Sequence, residues 1–187
     1  MALTETPAPD TGAPAPDFRL PDPGGRTWTL ADCRGPRGTV VMFICNHCPY
    51  VRSAIGRIAR DCRELAELGV ASVAIMPNDF HAYAADRPAE MARFAREHDL
   101  PFPYLVDESQ AVARAYGAVC TPDFFGYDAA LELRYRGRLD AGNPSRDAAG
   151  APRELFEAMR RVAAGEDAPA GQHPSMGCSI KWRSAPG

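Results

Sequence analysis

Short apolar runs rich in β-formers alternate along this chain with longer segments whose apolar positions recur at helical spacing. Thr39-Val40-Val41-Met42-Phe43-Ile44 is a continuous run of this kind, the pattern of a strand buried on both faces. Behind it, Val51, Ile55, Ile58, Ala59, Cys62, Leu65 and Ala66 share one helical face, and Gly69 supplies a stop. Val70–Met76 predicts a second buried strand. Pro88 opens a helix with Met91, Phe94 and Ala95 on its apolar side. Residues 103–106 predict a short strand. Asp107 with Gln110 resembles a capping box ahead of a helix that carries Val112, Ala113 and Tyr116 and ends at Gly117. Residues 124–127 and 131–135 predict two more strands. A last helix starts near Pro152, carries Leu155, Phe156, Met159 and Val162, and stops at Gly165.

Ahead of these elements, residues 17–30 read as a hairpin turning at Pro23-Gly24-Gly25. Strands alternating with helices, followed by a late hairpin, predict an α/β fold: a mixed central sheet flanked by helices. Residues 1–14, rich in Ala, Pro and Thr, read as a flexible tail, residues 15–165 as the domain, and residues 166–187 as a C-terminal extension. The extension has no period of its own, yet it holds Cys178, Ile180 and Trp182. Burying each of the two large side chains contributes roughly 1.5–3 kcal/mol, so the extension is expected to pack back onto the domain.

Composition narrows the function. A net charge of −3 argues against a general nucleic-acid binder, which needs a basic face. No apolar run reaches membrane-spanning length. The N-terminal residues lack the basic start and apolar run of an export signal, so a cytoplasmic location is expected. In a reducing compartment the six cysteines read as catalytic, metal-binding or buried thiols before they read as a disulfide framework.

The strongest chemical signal is Cys45-Asn46-His47-Cys48-Pro49, set where a buried strand meets the first turn of a helix. No second Cys-x-x-Cys exists to complete a zinc ribbon. Unpaired N–H groups at a helix N-terminus stabilise a nearby anion, and the thiolate is the nucleophile. Cys45, at what reads as an exposed strand end, is expected to attack, with Cys48, one helical step further in, resolving the mixed disulfide. His47 is expected to add positive charge beside Cys45 and make the pair more oxidising.

The segment Phe43-Ile44-Cys45-Asn46-His47-Cys48-Pro49-Tyr50-Val51 resembles the active-site signature of the peroxiredoxin-like group (alkyl hydroperoxide reductase/thiol-specific antioxidant type) of the thioredoxin superfamily. The resemblance continues through Ala15-Pro16-Asp17-Phe18, Asn78-Asp79, Phe102-Pro103-Tyr104-Leu105, Asp107-Glu108-Ser109-Gln110 and Ala115-Tyr116-Gly117-Ala118. It ends in Thr121-Pro122-Asp123-Phe124-Phe125, Tyr135-Arg136-Gly137 and Gly177-Cys178-Ser179-Ile180-Lys181-Trp182. It implies a thioredoxin-like fold, a dithiol site and a cis Pro122 facing the cysteines, with the backbone at Thr121 and Pro122 holding a substrate chain by strand-like bonds. It implies no bound cofactor; the partners would be protein or small-molecule thiols and disulfides, with an electron-donating dithiol protein. One departure stands out. Peroxiredoxins carry a proline seven residues, and a Thr or Ser three residues, before the peroxide-attacking cysteine. With Cys48 aligned to that cysteine, these positions hold Val41 and Cys45.

Two alternatives to disulfide exchange stay open. One is a peroxidase working through a cysteine sulfenic acid. The other is copper or zinc binding by Cys45, Cys48, Cys120 and Cys178 together, although no metal is assigned. Cys120 and Cys178 either approach the site or pack. Cys62 reads as core, Cys33 has no evident partner, and His81, His98 and His173 read as surface residues. Tyr50, Phe124, Phe125 and Trp182 read as packing, with Tyr50 and Trp182 also able to line a cleft.

Overall fold

The computed structural model describes residues 3–145, 148 and 150–183, so the first two residues of the expected tail and the last four of the extension lie outside it. Its centre is a five-stranded mixed sheet. Strand β4 (Gly38–Phe43) runs parallel to β5 (Val70–Met76), which runs parallel to β6 (Tyr104–Val106); on the other side β4 pairs antiparallel with β8 (Asp123–Tyr127), and β8 with β9 (Leu133–Gly137). Every residue of β4 is buried, as a strand covered on both faces requires.

Alternation along β4 divides the core. Val40, Met42 and Ile44 face α2 (Pro49–Glu67), α3 (Pro88–Glu97) and α5 (Glu154–Ala163), through Ile58, Leu65, Met91, Leu155 and Met159. Val41 and Phe43 face the hairpin β2 (Arg19–Pro21) and β3 (Thr27–Thr29), the short α1 (Leu30–Cys33) and α4 (Ala111–Ala115). No described helix is long and apolar enough to cross a membrane.

Four features differ from the sequence expectations. The N-terminal residues are not all tail: β1 (Leu3–Glu5) pairs antiparallel with β10 (Met176–Ser179). In turn, β10 pairs with β7 (Cys120–Thr121), giving a second sheet of order β1-β10-β7. The expected strand at residues 131–135 is shifted to Leu133–Gly137, because Leu131 takes φ 64 and its N–H closes a turn on Asp128. The capping box at Asp107 and Gln110 is absent. Gln110 enters α4 at φ 61, and its amide is engaged by the C-terminal segment instead, donating to the Lys181 carbonyl and accepting the Arg183 N–H. In that segment Ile180 is buried, whereas Trp182 stays 37% exposed with Arg114 over its ring.

Candidate active site

Pro49 occupies the first turn of α2, and Cys48 is the residue that caps that helix. Pro is favoured there because its missing N–H would be unpaired anyway. Cys48 therefore sits at the positive end of a 19-residue helix, with Cys45 in the loop that joins β4 to it. Both sulfurs are enclosed: Cys45 is 1% exposed and Cys48 0%.

The electrostatics favour the opposite assignment of roles to the one expected from sequence. Cys48 is lowered from the ordinary thiol value of 9.0 to about 5, first by its neighbour Cys45, with the start of α2 at Val51 and Cys178 also favouring the anion, against the cost of burial. One contact works the other way. The Thr121 carbonyl lies 3.0 Å from Cys48 Sγ, where it accepts from a thiol and repels a thiolate. Cys45 is raised well above the ordinary value, first by donating to Cys48, then by burial and by the charge of Asp86. Its Sγ also meets Thr121 Oγ1 at 3.4 Å. The electrostatics thus favour the anion on Cys48 and the proton on Cys45.

Asp86, which the sequence reading missed, organises the loop that carries these thiols. It lies on a single 3-10 turn (Ala84–Asp86) and is wholly buried. Its Oδ1 accepts the Asn46 N–H at 2.8 Å, and its Oδ2 accepts Asn78 Nδ2 at 2.8 Å. His47 Nδ1 is 2.7 Å from Oδ2. That vector lies off the line of an aligned N–H···O bond, so the contact is foremost an ion pair. The contact with Asp86 raises the His47 imidazolium above its ordinary value, with partial burial opposing. The His47 ring also stacks on Tyr83 at 5.7 Å. Asp86 is thus the nearest partner of the charge expected to act on Cys45, and Cys48 also contributes to the rise of His47. Tyr104 closes the back of the site by donating to Asn46 Oδ1 at 3.0 Å.

The Thr121–Pro122 bond is cis, and Thr121 touches both sulfurs. Its β7 edge is not open to a substrate chain, contrary to expectation, because β10 fills it with Cys178 opposite Thr121. Cys178 joins the site through its contact with Cys48. Cys120 projects to the other face of the same strand and donates to the Pro122 carbonyl at 3.4 Å, with burial pushing its thiol up. Burial likewise pushes Cys33 up to about 11 and Cys62 up to about 12, and neither lies at the site. All six cysteines are free thiols.

Cys45, His47 and Asp86 place ligand atoms within 4.8 Å of one another, a mixed sulfur, nitrogen and oxygen donor set. It is the one such group among the described residues, and it differs from the four-cysteine set considered from sequence. His81 and His173 are exposed and paired with Glu108 and Glu154, while His98 is partly buried against Phe94. Phe124 and Phe125 are core residues, and Tyr50 packs half-buried against the core.

The chain matches the AhpC/TSA family over residues 11–138. A conserved, uncharacterized protein of Geobacillus kaustophilus superposes with a TM-score of 0.94 at 39% identity, covering 100% of this chain and 99% of that one. A candidate peroxiredoxin of Mycobacterium tuberculosis (strain H37Rv) is 29% identical over 124 residues, 66% of this chain and 74% of that protein. Peroxidoxin BcpB from Mycobacterium tuberculosis shares the fold, with a TM-score of 0.60 at 18% identity, over 83% of this chain and 96% of that one. The match spans the sheet, α2 and the cysteine pair, so this chain belongs to the AhpC/TSA family, a peroxiredoxin-like member of the thioredoxin superfamily.

Proposed function

We propose that this protein is a thiol–disulfide oxidoreductase whose attacking group is Cys48. The observation that supports this most is the Cys45–Cys48 pair gathered on Thr121 beside the cis bond, with Cys48 at the N-cap of α2. The Cys48 thiolate attacks one sulfur of a disulfide and expels the other as a thiolate. The Cys45 thiol then gives up its proton to that leaving group and attacks Cys48 Sγ. The second substrate thiolate departs, leaving a Cys45–Cys48 disulfide and two reduced thiols. A cellular dithiol returns the pair to its reduced form.

The test is a single turnover with glutathione disulfide. Reduced protein is expected to release two glutathione thiols per chain, while Cys48→Ser releases none. Full release by Cys48→Ser would overturn the assignment.

A second reading, a peroxidase, is favoured by the complete enclosure of Cys48, which suits a small oxidant. Cys48 would then be oxidised to sulfenic acid with release of an alcohol or water. Cys45 would condense with it, losing water. Cys45 also stands where peroxiredoxins carry a Thr or Ser, and it donates to Cys48 from that place. Stopped-flow oxidation by stoichiometric hydrogen peroxide separates the two readings: oxidation much faster than by glutathione disulfide would establish the peroxidase.

A further inference from the structure

The second sheet brings a third thiol to the pair. The β7 strand is two residues long and lies outside the central sheet. Its edge is occupied by the chain's own β10 in the register Cys178↔Thr121 and Ser179↔Cys120. Thr121 is the residue that touches both site sulfurs, so this register brings Cys178 into one buried cluster with Cys45 and Cys48.

The approach of the strands is enforced. A Cβ at Gly177 would stand 2.1 Å from the Thr121 carbonyl oxygen and 2.7 Å from its carbon, so only glycine admits this spacing. The strand is also tied at both ends. Before it, Ser175 donates its hydroxyl to the Pro122 carbonyl at 2.7 Å and its N–H to Thr6 Oγ1 at 3.0 Å. After it, the Ile180 N–H reaches the Val119 carbonyl, and the Lys181 N–H reaches Asn78 Oδ1 at 2.9 Å. Asn78 also bonds Asp86, so the strap and the dithiol loop share one buried network. A cysteine-bearing extended segment is therefore a fixed part of the site.

We propose that Cys178 is a third redox thiol of this site, the alternative disulfide partner of Cys48. This rests on the reading of Cys48 as the redox-active sulfur. After substrate has oxidised the pair, the Cys178 thiolate attacks Cys48 Sγ of the Cys45–Cys48 disulfide. The Cys45 sulfur leaves with the bonding electrons and takes up the proton that Cys178 gave up. The result is a Cys48–Cys178 disulfide and a free Cys45 thiol, with no net oxidation. Both disulfides contain Cys48, so the site stores one pair of oxidising equivalents and can present it from either side. With β10 seated there, this β7 edge has no place for an extended substrate strand.

The experiment oxidises the full chain, Cys45→Ser and Cys178→Ser with glutathione disulfide, then quenches in acid, alkylates and maps the disulfides by mass spectrometry. Circular dichroism checks that each variant folds. Cys45→Ser is expected to close Cys48–Cys178, and Cys178→Ser to close Cys45–Cys48. A Cys45→Ser chain that carries glutathione on Cys48 while Cys178 stays open to alkylation overturns the proposal. Failure of Cys178→Ser to close Cys45–Cys48 would instead overturn the dithiol reading beneath it. Should Cys45→Ser not fold, the partly oxidised wild-type chain decides: a Cys48–Cys178 peptide supports the proposal and its absence overturns it.

Discussion

Replacing Cys45 by Ala removes the donor that does most to lower Cys48. Cys48 stands at about 5 against an ordinary 9.0; at neutral pH that difference raises the thiolate fraction roughly a hundredfold. A hydrogen bond to a charged group is worth about 1.5–3 kcal/mol, and one pH unit corresponds to about 1.4 kcal/mol. Losing the Cys45 donor should therefore move the Cys48 midpoint upward by about 1–2 pH units. Cys178 and the end of α2 remain, so the shift is partial. Because the sulfur is enclosed, thiolate ultraviolet absorbance is the suitable assay, since it needs no reagent to enter. Burial keeps Cys33, Cys62 and Cys120 protonated through the acidic and neutral range, so one thiolate should titrate there in the wild type. Cys48→Ser should abolish that titration, and Cys45→Ala should displace it. An unmoved midpoint in Cys45→Ala, or an acidic titration that survives in Cys48→Ser, would refute the electrostatic reasoning.

Three other expectations follow from the same geometry. Asp86→Ala leaves the Asn46 N–H, the Asn78 amide and His47 without their common partner, and denaturant unfolding should show a loss of roughly 3–5 kcal/mol; a loss below about 1 kcal/mol would deny Asp86 its organising place. His47 is raised above its ordinary 6.5 by Asp86, so its contribution to stability is fully present below that value and is lost as pH rises through the folded one. The melting-temperature difference between wild type and His47→Gln should accordingly shrink with rising pH, and a pH-independent difference would show that the ion pair is not its source. Gly177→Ala should push β10 off β7 and open Cys178 to alkylation in the reduced protein; protection as strong as in the wild type would contradict the enforced approach.

Much of the frame was legible because it rests on long-period or uninterrupted patterns. Residues 39–44 and Val70–Met76 could be read as buried strands, and the face of α2 from Val51 to Leu65 as core, without any tertiary knowledge. The pair Cys45 and Cys48 was legible by spacing, but the surroundings on which their roles were assigned were not. That assignment took the strand end to be exposed, whereas the loop folds under Asp86 and buries Cys45. Pro49 carried the missing signal, since a proline at the first helical position marks the preceding Cys48 as the cap. Asp86 was invisible because it lies on a single turn between Asn78 and Pro88, where no period exists. The strand β1 was missed for a related reason: three residues are too few to show alternation, and the partner β10 lies at the other end of the chain. Trp182 shows the limit of arguing from composition alone, since Ile180 suffices to anchor the strap and Trp182 rests outside on Arg114.

The central claim is that oxidation and reduction at this site pass through Cys48. It is tested most directly by equilibrating the wild-type chain in glutathione redox buffers of graded potential and assigning every cysteine by differential alkylation. Two thiols should be lost together and regained on reduction, with Cys48 in every disulfide formed. A Cys48 that stays fully reduced across the range while the protein remains folded, or a reversible disulfide that lacks it, would contradict the account.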